Sequence, residues 1–171
     1  MRFLSRVQRL IFALVLGCSA SSVEARGDFI DRVVIDKSSR TMSLLAGDDV
    51  YRTYFVALGG APEGPKLEEG DQRTPEGVYA ISARQPRSSF YRGLVISYPN
   101  ARDVEQAKAR GVDPGGEIMI HGLRNEYAWM GERHRRTDWT EGCIAVRPCV
   151  VRRYVWCDVG STIATKSRAQ S

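Results

Sequence analysis

Residues 32–58 read RVVIDKSSRTMSLLAGDDVYRTYFVAL, and this stretch decides the fold class. Runs rich in β-branched and aromatic residues alternate here with two short polar turns, Lys37–Arg40 and Gly47–Asp49. Strand-forming runs joined by short polar turns pair with their neighbours in a sheet. The stretch therefore predicts an antiparallel meander of three strands, over 32–36, 41–45 and 50–58.

The rest of the chain predicts more strands and little helix. Asp103–Arg110 has good helix formers, starts at an Asp that can cap a helix and stops at Gly111. Pro148–Trp156 is a second helix candidate, because Pro suits a first helical turn. We therefore expect a mostly β (α+β) domain with one or two short helices. Four further runs have strand-forming composition: 77–83, 94–97, 117–121 and 159–165.

The segment Gly59–Gly77 differs from these runs. It contains five Gly and three Pro, and neither helix nor strand composition. A segment of this length in a compact domain is usually an ordered surface loop with a functional role. We predict such a loop here.

Length and composition limit the class of protein. The 171 residues are 43% hydrophobic and 26% charged, which suits one globular domain and excludes a disordered or collagen-like chain. No internal repeat or linker divides the chain. The formal net charge of +5 fits nucleic acid, an anionic membrane or an acidic polymer equally well as a partner.

The first 25 residues have the pattern of a secretory signal peptide. Three Arg precede the apolar run Leu10–Leu16, and Val23–Ala25 provides a small-residue cleavage site. Seven apolar residues are too few for a membrane span, which needs about 20. Two alternatives stay open: a short buried helix, and a lipobox at Val15–Cys18 with Cys18 lipidated. Cleavage after Ala25 would leave 26–171 as a single domain outside the cytoplasm.

The leader also explains much of the basic character. Removing 1–25 takes away three Arg and one Glu, so the net charge falls from +5 to +3. Nucleic acid therefore becomes a poor candidate partner, and we expect none.

The cysteines are the first candidates for chemistry. Cys143, Cys149 and Cys157 follow the leader, and an odd number of thiols in an oxidising compartment requires an explanation. A Cys149–Cys157 bridge is disfavoured, because a helix over these residues would hold the two Cα atoms about 12 Å apart. The chain has two His and no Cys-x-x-Cys pair, which argues against a structural zinc site. We expect no metal and no cofactor.

Cys143 follows Gly142, and a Gly at this place allows a tight turn that exposes backbone amides. The amides of Gly142 and Cys143 are therefore candidate donors to an oxyanion. A thiolate nucleophile also needs a base, and His121 ends a predicted strand whereas His134 lies in a charged loop. The residue types leave two interpretations open: a Cys143/His121 catalytic dyad, or a buried Cys and a hydrogen-bonded His.

Several other side chains are candidate substrate contacts. Lys66 and Arg73 of the Gly/Pro-rich loop could bind substrate carboxylates or be solvated loop charges. Thr140 and Trp139 directly precede the Gly142 turn, and Trp139 could line a cleft or pack in the core. The arginines of the charged loop attract an anionic polymer or are simply solvated: Arg133, Arg135 and Arg136.

Two short strings resemble a family signature. His121-Gly122, followed after a gap by residues 140–143 (TEGC), resembles the L,D-transpeptidase (YkuD-type) catalytic domain, whose signature is His-Gly, a gap and Ser/Thr-His-Gly-Cys. Residues 73–79 (RTPEGVY) resemble the Thr-Pro-x-Gly-x-aromatic segment of the same family. The resemblance covers roughly 31–165. Four strings resemble its YafK-like branch: GPK at 64–66, GD at 70–71, YPN at 98–100 and WTEGCIAV at 139–146.

The resemblance implies a β-sandwich-like catalytic domain that acts on peptidoglycan stem peptides. Cys143 would attack the carbonyl of meso-diaminopimelate, D-Ala would leave, and a thioester would form. His121 would take the thiol proton and later return one to a leaving group. An amine of another stem, or of a wall-linked lipoprotein, would then accept the acyl group. The function we expect is that of a periplasmic L,D-transpeptidase.

Two positions depart from the family pattern. Glu141 stands where the family commonly has His, and Ala145 where it commonly has Asn or Arg. The nucleophile and the base are intact, but the acceptor is in doubt. Two alternatives therefore stay open. One is a Cys-dependent hydrolase, an amidase or carboxypeptidase that releases wall-linked lipoprotein or trims stems, and the other is a wall-binding module without catalysis.

Overall fold

The computed structural model describes residues 30–152 and 159–166. The predicted leader 1–25, with Cys18, and the partner thiol Cys157 lie outside these ranges, so the expectations about them stay predictions. Cys143 and Cys149 are free thiols. Within the described ranges, no helix is both long and apolar enough to cross a membrane.

The predicted meander is confirmed. β1 (Ile30–Asp36), β2 (Thr41–Ala46) and β3 (Asp49–Phe55) pair as antiparallel neighbours. Val33 and Ile35 alternate along β1 and are fully buried, as expected for a strand with one face on the core. The third strand ends at Phe55 rather than residue 58, because the chain stops pairing with β2 there and Ala57 instead pairs with Ala145.

The remaining strands are β4 (Gly77–Ser88), β5 (Tyr91–Ile96), β6 (Met119–His121), β7 (Ile144–Ala145) and β8 (Val159–Lys166). They complete one eight-stranded sheet with the order β3-β2-β1-β8-β4-β5-β6-β7. β8 lies in the middle of the sheet, parallel to β1 and antiparallel to β4. The predicted last strand is thus present. It pairs with β1, the first described strand, on one side and with β4 on the other.

The sheet curls so that its two ends approach each other. Ala57, just after β3, bridges Ala145 of β7, and Gly59 bridges Thr140. The buried core runs along the inside of this curl and includes Leu44, Ile120 and many other aliphatic residues. The expectation of a mostly β fold with few short helices is confirmed, with the sandwich-like form produced by one curled sheet.

The helix α1 (Ala101–Arg110) is confirmed, but its cap differs from the prediction. Asn100 is the N-cap and accepts from the amides of residues 102 and 103. Asp103 occupies the third helical position and closes a capping box with the Asn100 amide, so it is not the cap itself. Gly111 ends the helix in the left-handed conformation, as predicted.

The described part of the second predicted helix, residues 148–152, is helical. α2 spans Pro148–Val150, and the rest of the predicted 148–156 lies partly outside the described ranges. A 3₁₀ segment at Asn125–Arg136, kinked at Gly131, replaces the charged loop expected there. We refer to it below as the 125–136 segment.

Candidate active site

Two short parallel strands, β6 and β7, place the candidate base and nucleophile on one face. Ile120 pairs with Ile144, and both side chains are fully buried in the core. Side chains alternate along a strand, so the residues on either side of Ile120 and Ile144 face the opposite way. His121, the last residue of β6, and Cys143, which directly precedes β7, are therefore directed to the same face.

The ring of His121 has a defined orientation. Its Nδ1 lies 2.6 Å from the Gly122 carbonyl oxygen, which can only accept a hydrogen bond. Nδ1 must therefore hold the ring proton, and Nε2 is left as the basic nitrogen. Burial lowers the pKa of His121, so the ring is neutral and able to accept a proton. The rings of Phe90 and Trp139 lie 4.7 and 5.9 Å from the His121 ring, centroid to centroid.

The thiol of Cys143 is neutral as well. Burial raises the pKa of Cys143, and the nearby Glu117 carboxylate adds to this effect. The Met119 amide and the charge of Lys66 lower the pKa of the thiol but do not offset the burial. Sγ lies 3.8 Å from the Glu117 carbonyl oxygen, and no hydrogen bond joins it to His121 in the described hydrogen-bond network. Such contacts are often long without substrate.

The turn before the thiol is held by Thr140. Its Oγ1 donates to the Cys143 carbonyl at 2.7 Å and accepts from the Gly142 amide at 3.2 Å. The Gly142 amide is thus engaged, whereas the Cys143 amide has no partner in the described hydrogen-bond network. Of the two predicted oxyanion donors, the Cys143 amide is the one free to bind a ligand oxygen in this state.

Gly142 is required by the geometry of this turn. Its φ is 119°, and a Cβ placed on it would lie 2.6 Å from the Arg73 carbonyl oxygen. Such a separation is too short for any side chain to be accepted without a shift of the backbone. The Gly/Pro-rich loop therefore packs directly against the turn that presents Cys143.

The predicted loop cations have different surroundings. Lys66 is buried, and its Nζ donates to Asp71 Oδ1 at 2.8 Å and to the Glu68 carbonyl at 2.9 Å. Its hydrogen bonds stay inside its own loop, so Lys66 is neither a solvated charge nor a free contact for a substrate carboxylate in this state. Arg73 is partly exposed and remains available.

Glu141 and Ala145, the two residues that depart from the family pattern, differ in their exposure to solvent. Glu141 is exposed and accepts from Gln72 Nε2 at 3.2 Å. Ala145 is fully buried and forms backbone hydrogen bonds with Ala57 on the neighbouring segment.

Sequence reasoning missed three residues of this region. Phe90, at the tip of the β4–β5 hairpin, lies beside His121 with the two ring planes tilted by 49°, and no local sequence pattern indicates this contact. Glu117 has a φ of 56°, and its carbonyl oxygen lies 3.8 Å from the Cys143 sulfur. Lys37 is 2% exposed, although it lies in a polar turn that the sequence indicates as solvated. The described residues contain no group of three or more metal-ligating side chains.

The fold and this arrangement define a family. The family model of the L,D-transpeptidase catalytic domain (YkuD) matches residues 30–164, and the chain belongs to that family. YafK of Escherichia coli K12, a putative L,D-transpeptidase, is 31% identical over 124 residues. That match covers 65% of this chain and 48% of YafK.

Solved structures have the same fold. The helical cell shape determining protein Pgp2 of Campylobacter jejuni superposes with a TM-score of 0.61 at 23% identity, covering 82% of this chain and 49% of Pgp2. Bd1075 of Bdellovibrio bacteriovorus gives a TM-score of 0.55 at 21% identity, covering 82% of this chain and 49% of Bd1075. The chain spans about half the length of the relatives it matches.

Proposed function

We propose that this chain is a periplasmic, cysteine-dependent L,D-transpeptidase that acts on peptidoglycan stem peptides. Membership of the L,D-transpeptidase family supports an enzyme that modifies peptidoglycan. The observation that supports the cysteine chemistry best is the Nδ1 contact to the Gly122 carbonyl, because it leaves Nε2 as a base on the face of Cys143. The periplasmic location rests on the predicted leader.

The first half-reaction forms a thioester. Sγ of Cys143 attacks the carbonyl carbon of meso-diaminopimelate while Nε2 of His121 takes the thiol proton. The carbonyl oxygen becomes an oxyanion that accepts from the Cys143 amide. The C–N bond to the terminal D-Ala then breaks, and His121 returns the proton to the departing amine.

The second half-reaction transfers the acyl group. The amine of an acceptor stem, or of a wall-linked lipoprotein, attacks the thioester and gives one proton to His121. The C–S bond breaks, and His121 returns a proton to the thiolate of Cys143. Water in place of the amine gives a free carboxylate.

Hydrolysis is the second candidate, and the residues at the two departures favour it. Glu141 is an exposed acid and Ala145 a buried methyl, so neither offers a cation to hold an acceptor carboxylate. An amidase or carboxypeptidase on the same scaffold needs only water as acceptor. It would release a wall-linked lipoprotein or trim stems.

The test is incubation of residues 26–171 with tetrapeptide muropeptides and with lipoprotein-linked sacculi, followed by mass spectrometry of the products. Cys143→Ala is the inactive variant, and Cys149→Ala is the matched control because Cys149 is an exposed free thiol outside the site. New 3→3 cross-links or exchange of D-Ala, present in the control and absent in Cys143→Ala, support the transpeptidase. Trimmed stems or released lipoprotein without new links make it a hydrolase. Identical products from all three proteins favour a wall-binding module.

A further inference from the structure

A cleft lies where the curled sheet stops closing on itself. Ala57, after β3, and Ala145 of β7 exchange two backbone hydrogen bonds, each 2.9 Å long. Two residues away along each segment, Phe55 and Arg147 exchange none in the described hydrogen-bond network, and the Arg147 carbonyl accepts from the Val150 amide of α2 instead. The two segments therefore diverge, and a cleft of about 350 Å³ lies between them. We call it the β3 cleft.

The β3 side of this cleft has unpaired backbone groups. Successive residues of a strand direct their N–H and C=O groups to opposite neighbours. The Val56 amide donates to Arg40 on the β2 side, whereas the Ala57 amide donates to β7. The backbone groups of Phe55 and Thr53 therefore point into the cleft, and in the described hydrogen-bond network neither residue has a backbone partner there. Because β3 is an end strand of the sheet, its edge is open to one further strand.

The two faces of the β3 cleft differ in chemistry. Val146 and Val150 line it and are buried, so its inner face is aliphatic. Arg135 and Arg147 also line it, with side chains 31% and 40% exposed. The Arg135 guanidinium lies 4.8 Å from the centroid of the Phe55 ring, which is itself half exposed. Side chains alternate between the two faces of a strand, so a segment that alternates acidic and aliphatic residues fits both faces at once.

The charge of the outer face selects the acidic side chain. Among the described residues that line the cleft, Glu132 is the one acid. It pairs with both arginines, at 2.7 Å from Arg135 and 3.2 Å from Arg147. Glu132 is 55% exposed, and ion pairs that are this exposed to solvent are weak. Two guanidinium groups thus share one carboxylate, and a second carboxylate can bind to them through charge-assisted hydrogen bonds.

We infer that the β3 cleft is a docking site for an extended segment of a partner protein, which adds a strand to the open edge of β3. The backbone of the segment pairs with Thr53 and Phe55, and an acidic side chain lies at Arg135 and Arg147. The neighbouring aliphatic side chains pack on the inner face. Strand addition takes its affinity from main-chain hydrogen bonds and its specificity from alternate side chains. The inference is independent of the proposed acyl transfer.

A second copy of the chain is the less suitable occupant. Two β3 strands paired edge to edge about a two-fold axis would place the arginines of both clefts on one shared surface, where like charges repel. The sequence of β3 (DVYRTYF) also lacks an acid between two aliphatic residues. Charge complementarity therefore favours an acidic segment of another protein.

The probe is the peptide acetyl-Thr-Val-Glu-Val-Thr-amide, in which Glu lies on one face of the strand and both Val on the other. Three analogues test its contacts. The first has Gln in place of Glu, which removes only the charge. The second is N-methylated at Glu and the third at both Val, so that each loses the amide donors of one edge. Residues 26–171, labelled with ¹⁵N, are titrated with each peptide, and amide hydrogen exchange is followed by NMR.

Two pairs of protein variants test the docking site. Arg135→Gln removes a cation of the cleft, and Arg136→Gln is its matched control, because Arg136 is an exposed arginine of the same segment that does not line the cleft. Thr53→Pro removes the amide on the open edge, where proline is tolerated. Thr53→Val is its control, since both variants lose the hydroxyl that is bonded to Ser43 and only the proline loses the amide.

We expect saturable binding that slows exchange of the Thr53 and Phe55 amides at least tenfold, whereas the Val56 amide is protected already. The Gln peptide and Arg135→Gln should each weaken binding about tenfold, which is the effect of one charge-assisted contact. Thr53→Pro should weaken it too, and both controls should bind like the parent. One N-methylated analogue should fail to bind and the other should bind normally, because only alternate amides face β3. Cys143→Ala should bind like the parent, whatever the outcome of the muropeptide assay.

Several results would overturn the inference. These are the absence of saturable binding, equal affinity for the Glu and Gln peptides, equal effects of the two N-methylation patterns, and equal effects of Arg135→Gln and Arg136→Gln. Slow exchange of the Thr53 and Phe55 amides without peptide would mean that the edge is already covered. Analytical ultracentrifugation would then identify a second copy, if association depends on concentration, or a segment of the same chain, if it does not. Either occupant would exclude the partner segment.

Discussion

At the scale of the residue, the surroundings of Cys143 and His121 favour a neutral thiol and a neutral imidazole over a thiolate–imidazolium pair. Burial raises the pKa of the thiol and lowers the pKa of the imidazole, so both are neutral near pH 7. A preformed thiolate–imidazolium pair would need the opposite shifts. Alkylation of Cys143 in the protein without substrate should therefore be slow near pH 7.

The pH dependence of alkylation tests this arrangement. Because the pKa of Cys143 is raised, its thiolate fraction should grow about tenfold per pH unit from pH 7 to 9 without levelling off, and the rate with iodoacetamide should follow. Peptide mass mapping separates Cys143 from the exposed Cys149, which should react faster at pH 7 because it is accessible. His121→Gln should change the profile little. A rate that is already level below pH 7 would show that the ion pair forms without substrate.

Gly142 is the residue whose substitution tests the turn. Gly142→Ala forces a non-glycine residue to a φ of 119° and places Cβ 2.6 Å from the Arg73 carbonyl oxygen. We expect a loss of stability of about 1–3 kcal/mol and a thioester rate at least about tenfold lower, because the Cys143 amide moves. The readouts are a urea melt and acyl-enzyme formation by mass spectrometry.

Gly116→Ala is the matched control for that change. Nothing lies within 4 Å of a Cβ at Gly116, and it is close in sequence to the thiol's neighbour Glu117. Its melt and its acylation rate should equal those of the parent. If both variants behave alike, the turn tolerates a side chain and the geometric argument is wrong.

At the scale of the element, the Gly/Pro-rich loop is fastened by a buried lysine. Nζ of Lys37, in the β1–β2 turn, donates to the carbonyls of Gly64 and Thr74 and to Glu76 Oε1 at 2.5, 2.8 and 2.9 Å. Burial lowers the pKa of Lys37, while the Glu76 carboxylate raises it. One ammonium group therefore satisfies three acceptors of the loop that packs against Gly142.

Replacement of this lysine should loosen the loop. Lys37→Met keeps most of the side-chain volume but leaves two carbonyls and a carboxylate without their donor, so we expect a loss of about 3 kcal/mol. Lys108→Met, an exposed position on α1, is the matched control and should change stability by less than about 0.5 kcal/mol. Chemical denaturation measures both, and limited proteolysis should locate the new cleavage within 59–76 for Lys37→Met alone. Equal stability of the two variants would mean that the loop holds its conformation without Lys37.

The sequence predicts these elements well where the signal is local. The meander follows from alternation and turns inside 32–58, and α1 ends at Gly111 because a left-handed residue is needed there. The burial of Lys37 could not be predicted, because its turn is polar and its acceptors belong to a loop far along the chain. The same reason hides Phe90, which reaches His121 only through the pairing of β5 with β6.

At the scale of the whole molecule, the central place of β8 is what no local pattern reveals. Its composition predicts a strand, but its partners β1 and β4 are chosen by tertiary contacts rather than by a short turn. The motif pair can be recognised in the sequence for a different reason, because His121-Gly122 and 140–143 are short strings that resemble a family signature. Their alignment on one face still depends on the long-range pairing of β6 with β7.

Because β8 joins the first described strand to the rest of the sheet, damage to it should unfold the site as well. Ile163 of β8 is fully buried in the core, whereas Val78 of the neighbouring β4 is 66% exposed. Ile163→Ala should cost about 3 kcal/mol and lower Tm by roughly 10 °C, and Val78→Ala should change Tm by only about 1–2 °C. Thermal melts by circular dichroism, with Cys143 accessibility to a thiol reagent measured in parallel, give both quantities. For Ile163→Ala, the loss of circular dichroism signal and the exposure of Cys143 should occur over the same temperature range, because a single sheet contains both β8 and β7. Exposure of Cys143 well below the melt would instead mean that the edge with β6 and β7 opens as a separate unit.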